Sequence, residues 1–99
     1  MGKVRWTREA EAWLREIHDF IAADNPAAAL RTVQSIYEKA ETLTRFPERG
    51  YRYREKPDSK VRILLYSHYR IAYLVKEKGN VDILGVFHGA LDIARHLGS

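Results

Sequence analysis

The segment that most constrains the fold runs from Val61 to His88 and reads VRILLYSHYRIAYLVKEKGNVDILGVFH. It contains three short apolar runs, rich in β-branched and aromatic residues, that are separated by two turn-like stretches. This pattern is typical of three consecutive antiparallel strands. Because side chains alternate across a strand, Ile71 and Tyr73 should point to one face of the middle strand and Arg70 to the other. An arginine is therefore predicted within the sheet.

The first 24 residues predict a short strand followed by a helix. Polar and apolar residues alternate over positions 3–7, which places Val4 and Trp6 on the core face of a first strand. Thr7 is a typical N-cap, and glutamates follow it where they favour the helix dipole. The apolar stripe of this helix is predicted to contain Ala10, Trp13, Leu14, Ile17, Phe20 and Ile21.

A second helix is predicted to begin at Pro26, because Asn25 supplies a cap and a proline fits the first helical position. It should end before Phe46-Pro47. Helices joined by so few residues lie antiparallel, and neither has the heptads of a coiled coil, so both should cover the sheet. One face of the second helix holds Ala29, Val33, Ile36, Ala40 and Leu43, with Leu30 and Tyr37 beside it.

Together these elements predict an α+β fold. An N-terminal strand and an antiparallel helical hairpin should pack on a three- to four-stranded antiparallel sheet, followed by a short C-terminal helix or tail. One core should form between the hairpin and the sheet. Its predicted members are Trp6, Trp13, Leu14, Ile17, Val33, Ile36, Ile71, Tyr73 and Ile83.

Length and composition limit the remaining possibilities. A chain of 99 residues forms one small domain, predicted as residues 1–99, and without cysteine it has neither disulfides nor thiolate metal sites. Its apolar runs are far shorter than the ~20 residues that span a bilayer, and its N-terminus lacks the apolar core of a signal peptide. We expect a cytoplasmic protein with no membrane partner.

The positive charge is concentrated between Arg45 and Arg62. This segment has seven basic and three acidic residues, a net charge of +4, whereas the remaining residues contain ten of each sign. Such a segment favours an acidic partner, either nucleic acid or an acidic peptide. Charge on a short exposed edge strand also prevents edge-to-edge pairing, and on charge alone this explanation is equally good.

Within the basic segment, tyrosine and arginine alternate in Tyr51-Arg52-Tyr53-Arg54. The alternation predicts a short edge strand with its tyrosines packed on the helices and its arginines in water. Aromatic residues interleaved with arginine also stack on bases and neutralise phosphates in nucleic-acid-binding proteins. Both interpretations stay open at the level of the sequence.

Taken in order, these segments resemble the RelE/ParE superfamily of toxins from bacterial type II toxin–antitoxin, or plasmid stabilisation, pairs. The resemblance covers essentially the whole chain, and the Asn-Pro-Ala hairpin and the strand that ends in His-Gly are more similar to the ParE branch. The matching segments are NPAAA at 25–29, LTRFPERG at 43–50, VR at 61–62, YRIAY at 69–73 and ILGVFHGALD at 83–92.

The ParE branch implies an inhibitor of DNA gyrase that acts by protein–protein interaction, has no recognised hydrolytic site, and is neutralised by a cognate acidic antitoxin in a hetero-oligomer. The C-terminal segment favours this branch, because Ile93 and Leu97 are spaced to pack a helix and the further basic or catalytic residues expected of a ribonuclease are missing there. The predicted partner-binding residues are Arg49, Tyr51, Arg52, Tyr53, Arg54, Arg62 and Arg95.

The RelE branch is the alternative, and it implies an endoribonuclease that cuts messenger RNA on the ribosome. Attack by the 2′-hydroxyl requires a base, an acid and cations near the phosphate. The candidates are His88 as acid or base and Arg62 and Arg70 as phosphate clamps, with Tyr66 or Lys60 as further candidates.

Structural explanations of the same residues compete with these roles. Arg62 and Arg70 could pair with Asp82 or Glu77 across the sheet, and a histidine at the end of a strand often belongs to the scaffold. The four histidines lie on four different segments, so no metal site is predicted. The glycines lack the spacing of a phosphate-binding loop, and no cofactor is expected.

Overall fold

Two helices pack on one face of a five-stranded sheet in the computed structural model, which describes residues 2–54, 60–88 and 93. The elements are β1 (Val4–Trp6), α1 (Arg8–Ala22), α2 (Pro26–Glu41), β2 (Tyr51–Arg52), β3 (Val61–Tyr66), β4 (Tyr69–Val75) and β5 (Val81–Phe87). Single 3₁₀ turns lie at Thr42–Thr44 and Glu77–Gly79. The predicted α+β fold is confirmed.

The strands are arranged in the order β1-β5-β4-β3-β2. The pairs from β2 to β5 are antiparallel, as predicted, whereas β1 joins the edge of the sheet parallel to β5. The N-terminal strand therefore extends the predicted antiparallel sheet to five strands. It also places the first and last strands of the described chain side by side.

Both helices begin at the predicted caps. The Thr7 hydroxyl accepts a hydrogen bond from the Ala10 amide at 3.1 Å and donates one to the Ile83 carbonyl at 2.7 Å. The Asn25 side chain accepts a bond from the Ala28 amide at 3.0 Å. Thr7 therefore satisfies a free amide of the first helical turn and also ties α1 to β5.

The main core lies between the helices and the sheet, and it contains every predicted member except Trp13. The Trp13 ring packs instead against Phe87, with ring centroids 5.0 Å apart, in a second cluster. Phe20, which is predicted on the apolar stripe of α1 but not among the core members, is 82% exposed. An α-helix turns by about 100° per residue, so the side chains of Trp13 and Phe20 lie at the same margin of the apolar stripe, roughly 60–80° from its centre.

The second face of the sheet is also partly buried. Ile63 and Ala72 lie opposite each other on β3 and β4 and pack with Phe87. Ile93 is only 2% exposed in this cluster, which agrees with the predicted packing of the C-terminal segment, whereas Leu97 lies outside the described residues. Both faces of the central strands are therefore covered.

A bulge in β5 changes which residues face the helices. Ala72 pairs with Gly85 but the next residue of β4, Tyr73, pairs with Ile83, so Leu84 is an extra residue in β5. As a result Ile83 and Val86, three residues apart, both belong to the core under the helices. A simple alternation along the strand would have placed them on opposite faces.

Candidate partner-binding surfaces

Two surfaces at opposite ends of the sheet can bind a partner. The first is the turn that connects α2 to β2, residues 45–50, which we call the basic turn. The second is a groove between the later half of α1 and the ends of β4 and β5, which we call the apolar cleft. On β4, Tyr73 lies at the end near the basic turn and Tyr69 at the end near the apolar cleft. The two residues are four positions, or roughly 13 Å, apart along the strand.

The basic turn is held on the sheet by the hydroxyl of Tyr73, a residue that is fully buried. This hydroxyl accepts a hydrogen bond from the Gly50 amide at 2.9 Å and donates one to the Pro47 carbonyl at 2.8 Å. Burial raises the pKa of the Tyr73 hydroxyl, while the hydrogen bond from Gly50 and the positive charge of Arg62 oppose that increase. The neutral, hydrogen-bonded tyrosine is therefore the form that holds the turn.

Arg62 makes a second attachment to the same turn. Its guanidinium donates to the Gly50 carbonyl at 2.6 Å and to the Glu48 carbonyl at 3.4 Å. The Glu48 carboxylate also lies 3.7 Å from this guanidinium. Only 20% of the Arg62 side chain is exposed, so most of its hydrogen-bonding capacity is used inside the protein.

Gly50 allows this close attachment because it has no side chain. A Cβ atom at this position would lie 2.6 Å from the Ile63 carbonyl oxygen and 2.8 Å from the Tyr73 ring. Both distances are far shorter than a van der Waals contact between heavy atoms. The glycine that ends the FPERG sequence is therefore required for the turn to lie flat on β3.

The outer face of the basic turn carries two exposed arginines, Arg45 and Arg49, on either side of Phe46, which is 59% exposed. Together with Pro47 and Glu48, these residues line a shallow depression of about 680 Å³. No ion pair of either arginine occurs within the described ranges. The turn therefore presents unneutralised charge next to an exposed aromatic ring.

The predicted partner-binding residues differ in their accessibility. Arg49, Tyr51, Arg52 and Arg54 are exposed, Arg62 is engaged with the basic turn, and Arg95 lies outside the described residues. Tyr53 is only 7% exposed, so little of its side chain is accessible to a partner, and its role as a contact residue stays a prediction.

The prediction that the tyrosines of this strand pack on the helices is wrong. Tyr51 pairs with Ile63, and Tyr53 and Ile63 belong to the cluster on the second face of the sheet. Residues directly opposite on neighbouring strands share a face, so Tyr51 points away from the helices. The alternation correctly places both tyrosines on one face of the sheet, but it does not show which face the helices cover.

The apolar cleft has a volume of about 510 Å³. Its lining is mainly apolar, and one wall carries the exposed ring of Phe20 while the other ends at His88. His88 is exposed, and its ring centroid lies 5.6 Å from that of Tyr69 and 6.2 Å from that of His68. The lining residues are Trp13, Glu16, Ile17, Phe20, Ile21, Tyr69, Val86 and His88.

The structure does not bring the three ribonuclease candidates together. Arg62 lies opposite Tyr73 and therefore faces the helices, whereas Arg70 alternates with Ile71 and points to the second face. His88 lines the apolar cleft on the helical side, at the end of the sheet far from Arg62. The two arginines cannot contact one phosphate from opposite faces of the sheet.

The two further ribonuclease candidates lie at opposite ends of β3. Tyr66 pairs with Tyr69, whose ring is next to that of His88, whereas Lys60 is at the far end of the strand. Lys60 is exposed next to the first residue of β3, and Tyr66 is partly buried at the other end of that strand. These two residues are therefore separated by the whole length of β3, roughly 20 Å.

The alternative pairing of Arg62 and Arg70 with Asp82 or Glu77 is wrong. Asp82 is nearly buried, and its carboxylate binds the Arg5 guanidinium at 3.0 Å and lies 4.0 Å from the Lys76 ammonium. Arg5 is its neighbour because β1 joins the sheet next to β5. No pattern in the sequence predicts this parallel pairing.

Two features bear on ligands other than proteins. In the part of the chain that the structure describes, no group of three or more histidine, cysteine, aspartate or glutamate residues could hold a metal ion. Among the same residues, no helix is long and apolar enough to cross a membrane.

The sequence reasoning missed two residues that shape these surfaces. Phe20 is predicted only as part of the apolar stripe of α1, without a role at the surface, although a position at the margin of the stripe is compatible with exposure. Tyr73 was assigned to the core without a role for its hydroxyl. A tyrosine among alternating core residues does signal a buried hydroxyl that needs partners, but not which segment provides them.

Comparisons with known proteins agree with the fold and with the order of the elements. Residues 4–93 match the model of a family described as the ParE toxin of the type II toxin–antitoxin system parDE. The chain is 33% identical over 90 residues to toxin RelE2 of Caulobacter vibrioides, covering 91% of this chain and 98% of that protein.

Two solved structures are similar over most of their length. One is from the chromosomal ParDE system of Pseudomonas aeruginosa, with 28% identity, a TM-score of 0.70, and coverage of 89% of this chain and 96% of that one. The other is from the RelBE2 toxin–antitoxin complex of Mycobacterium tuberculosis, with 24% identity, a TM-score of 0.68, and coverage of 89% and 98%. The second likeness bears on the fold alone.

Proposed function

Because this chain belongs to the ParE toxin family of type II toxin–antitoxin systems, we propose that it inhibits DNA gyrase by a protein–protein interaction. A cognate acidic antitoxin would neutralise it. The family match over residues 4–93 and the similarity to a ParDE structure support the ParE-like activity. The antitoxin partner is supported by the similarity to a structure from a ParDE toxin–antitoxin system.

The observation that carries the choice of target is the separation of Arg62, Arg70 and His88. A ribonuclease must place its proton-transfer group and its phosphate-binding cations around one scissile phosphate. Here the two arginines lie on opposite faces of the sheet, and Arg62 already donates to two carbonyl groups of the basic turn. This arrangement supports an inhibitor that acts by binding.

We propose that the antitoxin uses both surfaces. An amphipathic segment would place apolar side chains in the apolar cleft against Phe20, which gains most from burial because 82% of it is exposed. Acidic side chains of the same antitoxin would approach the basic segment, residues 45–62, whose net charge is +4. The first contact supplies affinity, and the second makes association depend on salt.

A RelE-like ribonuclease is the second candidate, and two observations favour it. The chain is 33% identical to a protein named toxin RelE2. His88 is also exposed, with the ring of Tyr69 close to it. Histidine and tyrosine can both act in proton transfer. This candidate requires His88 to be essential.

The experiment that separates the two functions compares His88→Ala with His68→Ala and the wild type. The two histidines are both exposed and their rings are neighbours, so His68→Ala is a matched control for a local loss of an imidazole. Each protein is expressed in cells, and gyrase–DNA cleavage complexes and ribosome-dependent messenger RNA cleavage are measured in parallel.

We expect gyrase cleavage complexes with all three proteins and no RNA cuts above background. A ribonuclease would lose ~10²–10⁴ in rate when its proton-transfer group is removed. RNA cuts that occur with wild type and His68→Ala but disappear with His88→Ala, with gyrase unaffected, would replace the proposed function by the second candidate.

A further inference from the structure

The charge of the basic turn suits an acidic antitoxin segment, but the exposed phenylalanine between its arginines matches a second kind of ligand. Two exposed arginines lie on either side of an exposed phenylalanine, within five consecutive residues. The guanidinium group is planar and binds phosphate oxygens through two parallel hydrogen bonds. An exposed aromatic ring offers a stacking surface to an unpaired base. The combination of Arg45, Phe46 and Arg49 therefore matches a nucleic-acid strand.

The local charge around the turn strengthens this match. Glu48 is the acidic residue of the turn, and its side chain is 82% exposed and lines the same depression. Its carboxylate lies 3.7 Å from the guanidinium of Arg62, which offsets part of its negative charge. Arg45 and Arg49 make no ion pair with a described residue, so their charges stay available to an anion.

The backbone of the turn is fixed before any ligand binds. The Tyr73 hydroxyl and the Arg62 guanidinium together make four hydrogen bonds to the turn's backbone. An additional Cβ atom at Gly50 would meet the β3 backbone, so the turn lies directly on the sheet. Preorganisation of this kind lowers the entropy that binding must overcome.

We propose that Arg45, Phe46 and Arg49 form a binding site for single-stranded or locally unpaired DNA. The arginines would contact successive phosphates and Phe46 would stack on a base. That the bound strand is the one held open in the gyrase cleavage complex rests on the proposed function above. Binding of DNA by the isolated toxin does not rest on it, so the two ideas can fail separately.

The test measures binding of the toxin alone to a fluorescently labelled oligonucleotide by anisotropy, at about 50 and about 200 mM salt. The probes are one single-stranded DNA, its duplex and the RNA of the same sequence. The double variant Arg45→Glu/Arg49→Glu is compared with Arg15→Glu/Arg31→Glu, which makes the same change in net charge at exposed positions on the two helices. Far-UV circular dichroism checks that both variants are folded.

We expect wild type and the helix control to bind single-stranded DNA more tightly than duplex, with affinity that falls as salt rises. Loss of two phosphate contacts should reduce the slope of log affinity against log salt by about 1.4. Phe46→Ala should weaken binding to the single strand roughly tenfold and leave the salt slope unchanged.

Three results would overturn the proposal. The first is equal weakening by the two double variants, since that would reflect net charge alone. The second is tighter binding of the RNA than of the DNA. The third is an affinity that Phe46→Ala does not change.

Gyrase inhibition that persists in Arg45→Glu/Arg49→Glu without DNA binding would exclude the DNA strand of gyrase as the ligand and leave the proposed function intact. DNA binding by a toxin that does not inhibit gyrase would exclude the proposed function and leave the DNA-binding site intact.

Discussion

The basic turn and the apolar cleft lie at opposite ends of the same sheet and differ in what defines them. Polar contacts define the basic turn, because a buried hydroxyl and a guanidinium hold its backbone while its charged side chains remain in water. Side-chain packing defines the apolar cleft, because α1 leaves the ring of Phe20 and the ends of β4 and β5 uncovered.

This difference separates two kinds of recognition within one small domain. The cleft can provide affinity through burial of apolar area, which depends little on salt. The turn can provide association rate and selection of an anionic partner, which depend strongly on salt. Substitutions at the two ends should therefore have different signatures, although both surfaces rest on the same core.

The largest expected effect is on that shared core. Ile71 is fully buried on β4 between the two ends, so Ile71→Ala should lower the free energy of unfolding by ~2–5 kcal/mol. Urea denaturation, monitored by tryptophan fluorescence, measures the change in the free energy of unfolding. Leu65→Ala is the matched control, because Leu65 is on the neighbouring strand and 54% exposed. Equal losses in the two variants would show that the assignment of buried faces is incorrect.

The next effect tests the cleft alone. Phe20→Ser should weaken antitoxin binding by ~2 kcal/mol or more, which is roughly 30-fold, because a large ring at the centre of an interface is a typical hot spot. The stability of the free toxin should hardly change, since Phe20 is 82% exposed. Isothermal titration at low and high salt should give the same loss at both.

The control for the cleft is Leu30→Ser. Leu30 is also an exposed apolar residue, 54% accessible, but it lies on α2 and does not line the cleft. If Leu30→Ser weakens the complex as much as Phe20→Ser does, the antitoxin contacts the helical hairpin more broadly than proposed.

A smaller effect is expected where the basic turn is attached. Tyr73→Phe leaves the Gly50 amide and the Pro47 carbonyl without their partner, at a cost of ~1–3 kcal/mol. The hydrogen of the Gly50 amide should then exchange faster with solvent, which NMR can measure. The amides of α1 should slow down or speed up only as much as the change in global stability requires. Tyr69→Phe, which changes a tyrosine at the cleft end of β4, should not affect Gly50. Unchanged exchange at Gly50 in Tyr73→Phe would contradict the role of this hydroxyl.

The smallest effect is a dependence on pH. Burial raises the pKa of Tyr73 in the folded protein, so the unfolded chain loses this proton first as the pH increases. The contribution to stability is complete below the unfolded pKa of about 10 and is lost as the pH rises through the folded value. Denaturation midpoints between about pH 9 and about pH 11.5 should therefore fall less steeply in Tyr73→Phe than in wild type.

Tyr69→Phe should also reduce the slope, because burial raises the pKa of Tyr69 as well. Identical pH profiles for wild type and Tyr73→Phe would show that the pKa of Tyr73 does not change on folding. Comparison of the two variants then reports on the two ends of the sheet separately.

The sequence predicted the parts of this protein that local patterns control. Alternation and turn residues identified three strands, and Thr7 and Asn25 identified the helix starts, because these signals act within a few residues. The same local reasoning does not distinguish Trp13 from Phe20. The period of the helix places both at the same margin of the stripe. Trp13 packs on Phe87 there and Phe20 stays exposed, a difference that depends on where the sheet beneath the helix ends.

The site depended on contacts distant in sequence. Tyr73 and Pro47 are 26 residues apart, and no pattern indicates that a core tyrosine attaches the FPERG turn. The bulge at Leu84 reverses the facing of every later residue in β5, so the side on which His88 lies could not be derived from alternation. Arg62 and Arg70 appeared equivalent in the sequence, and the strand register places them on opposite faces.

The pairing of β1 with β5 has a consequence for the order in which a newly synthesised chain can mature. Arg5 and Asp82 are 77 residues apart, so the first strand made must wait for nearly the last one before it has a neighbour. The residues that hold the basic turn come from β3 and β4, which leave the ribosome earlier. Val86 and His88, which complete the apolar cleft, emerge later. The attachments of the turn can therefore form before the cleft is complete, and an antitoxin that needs the cleft can recognise only a chain in which β5 has already been made.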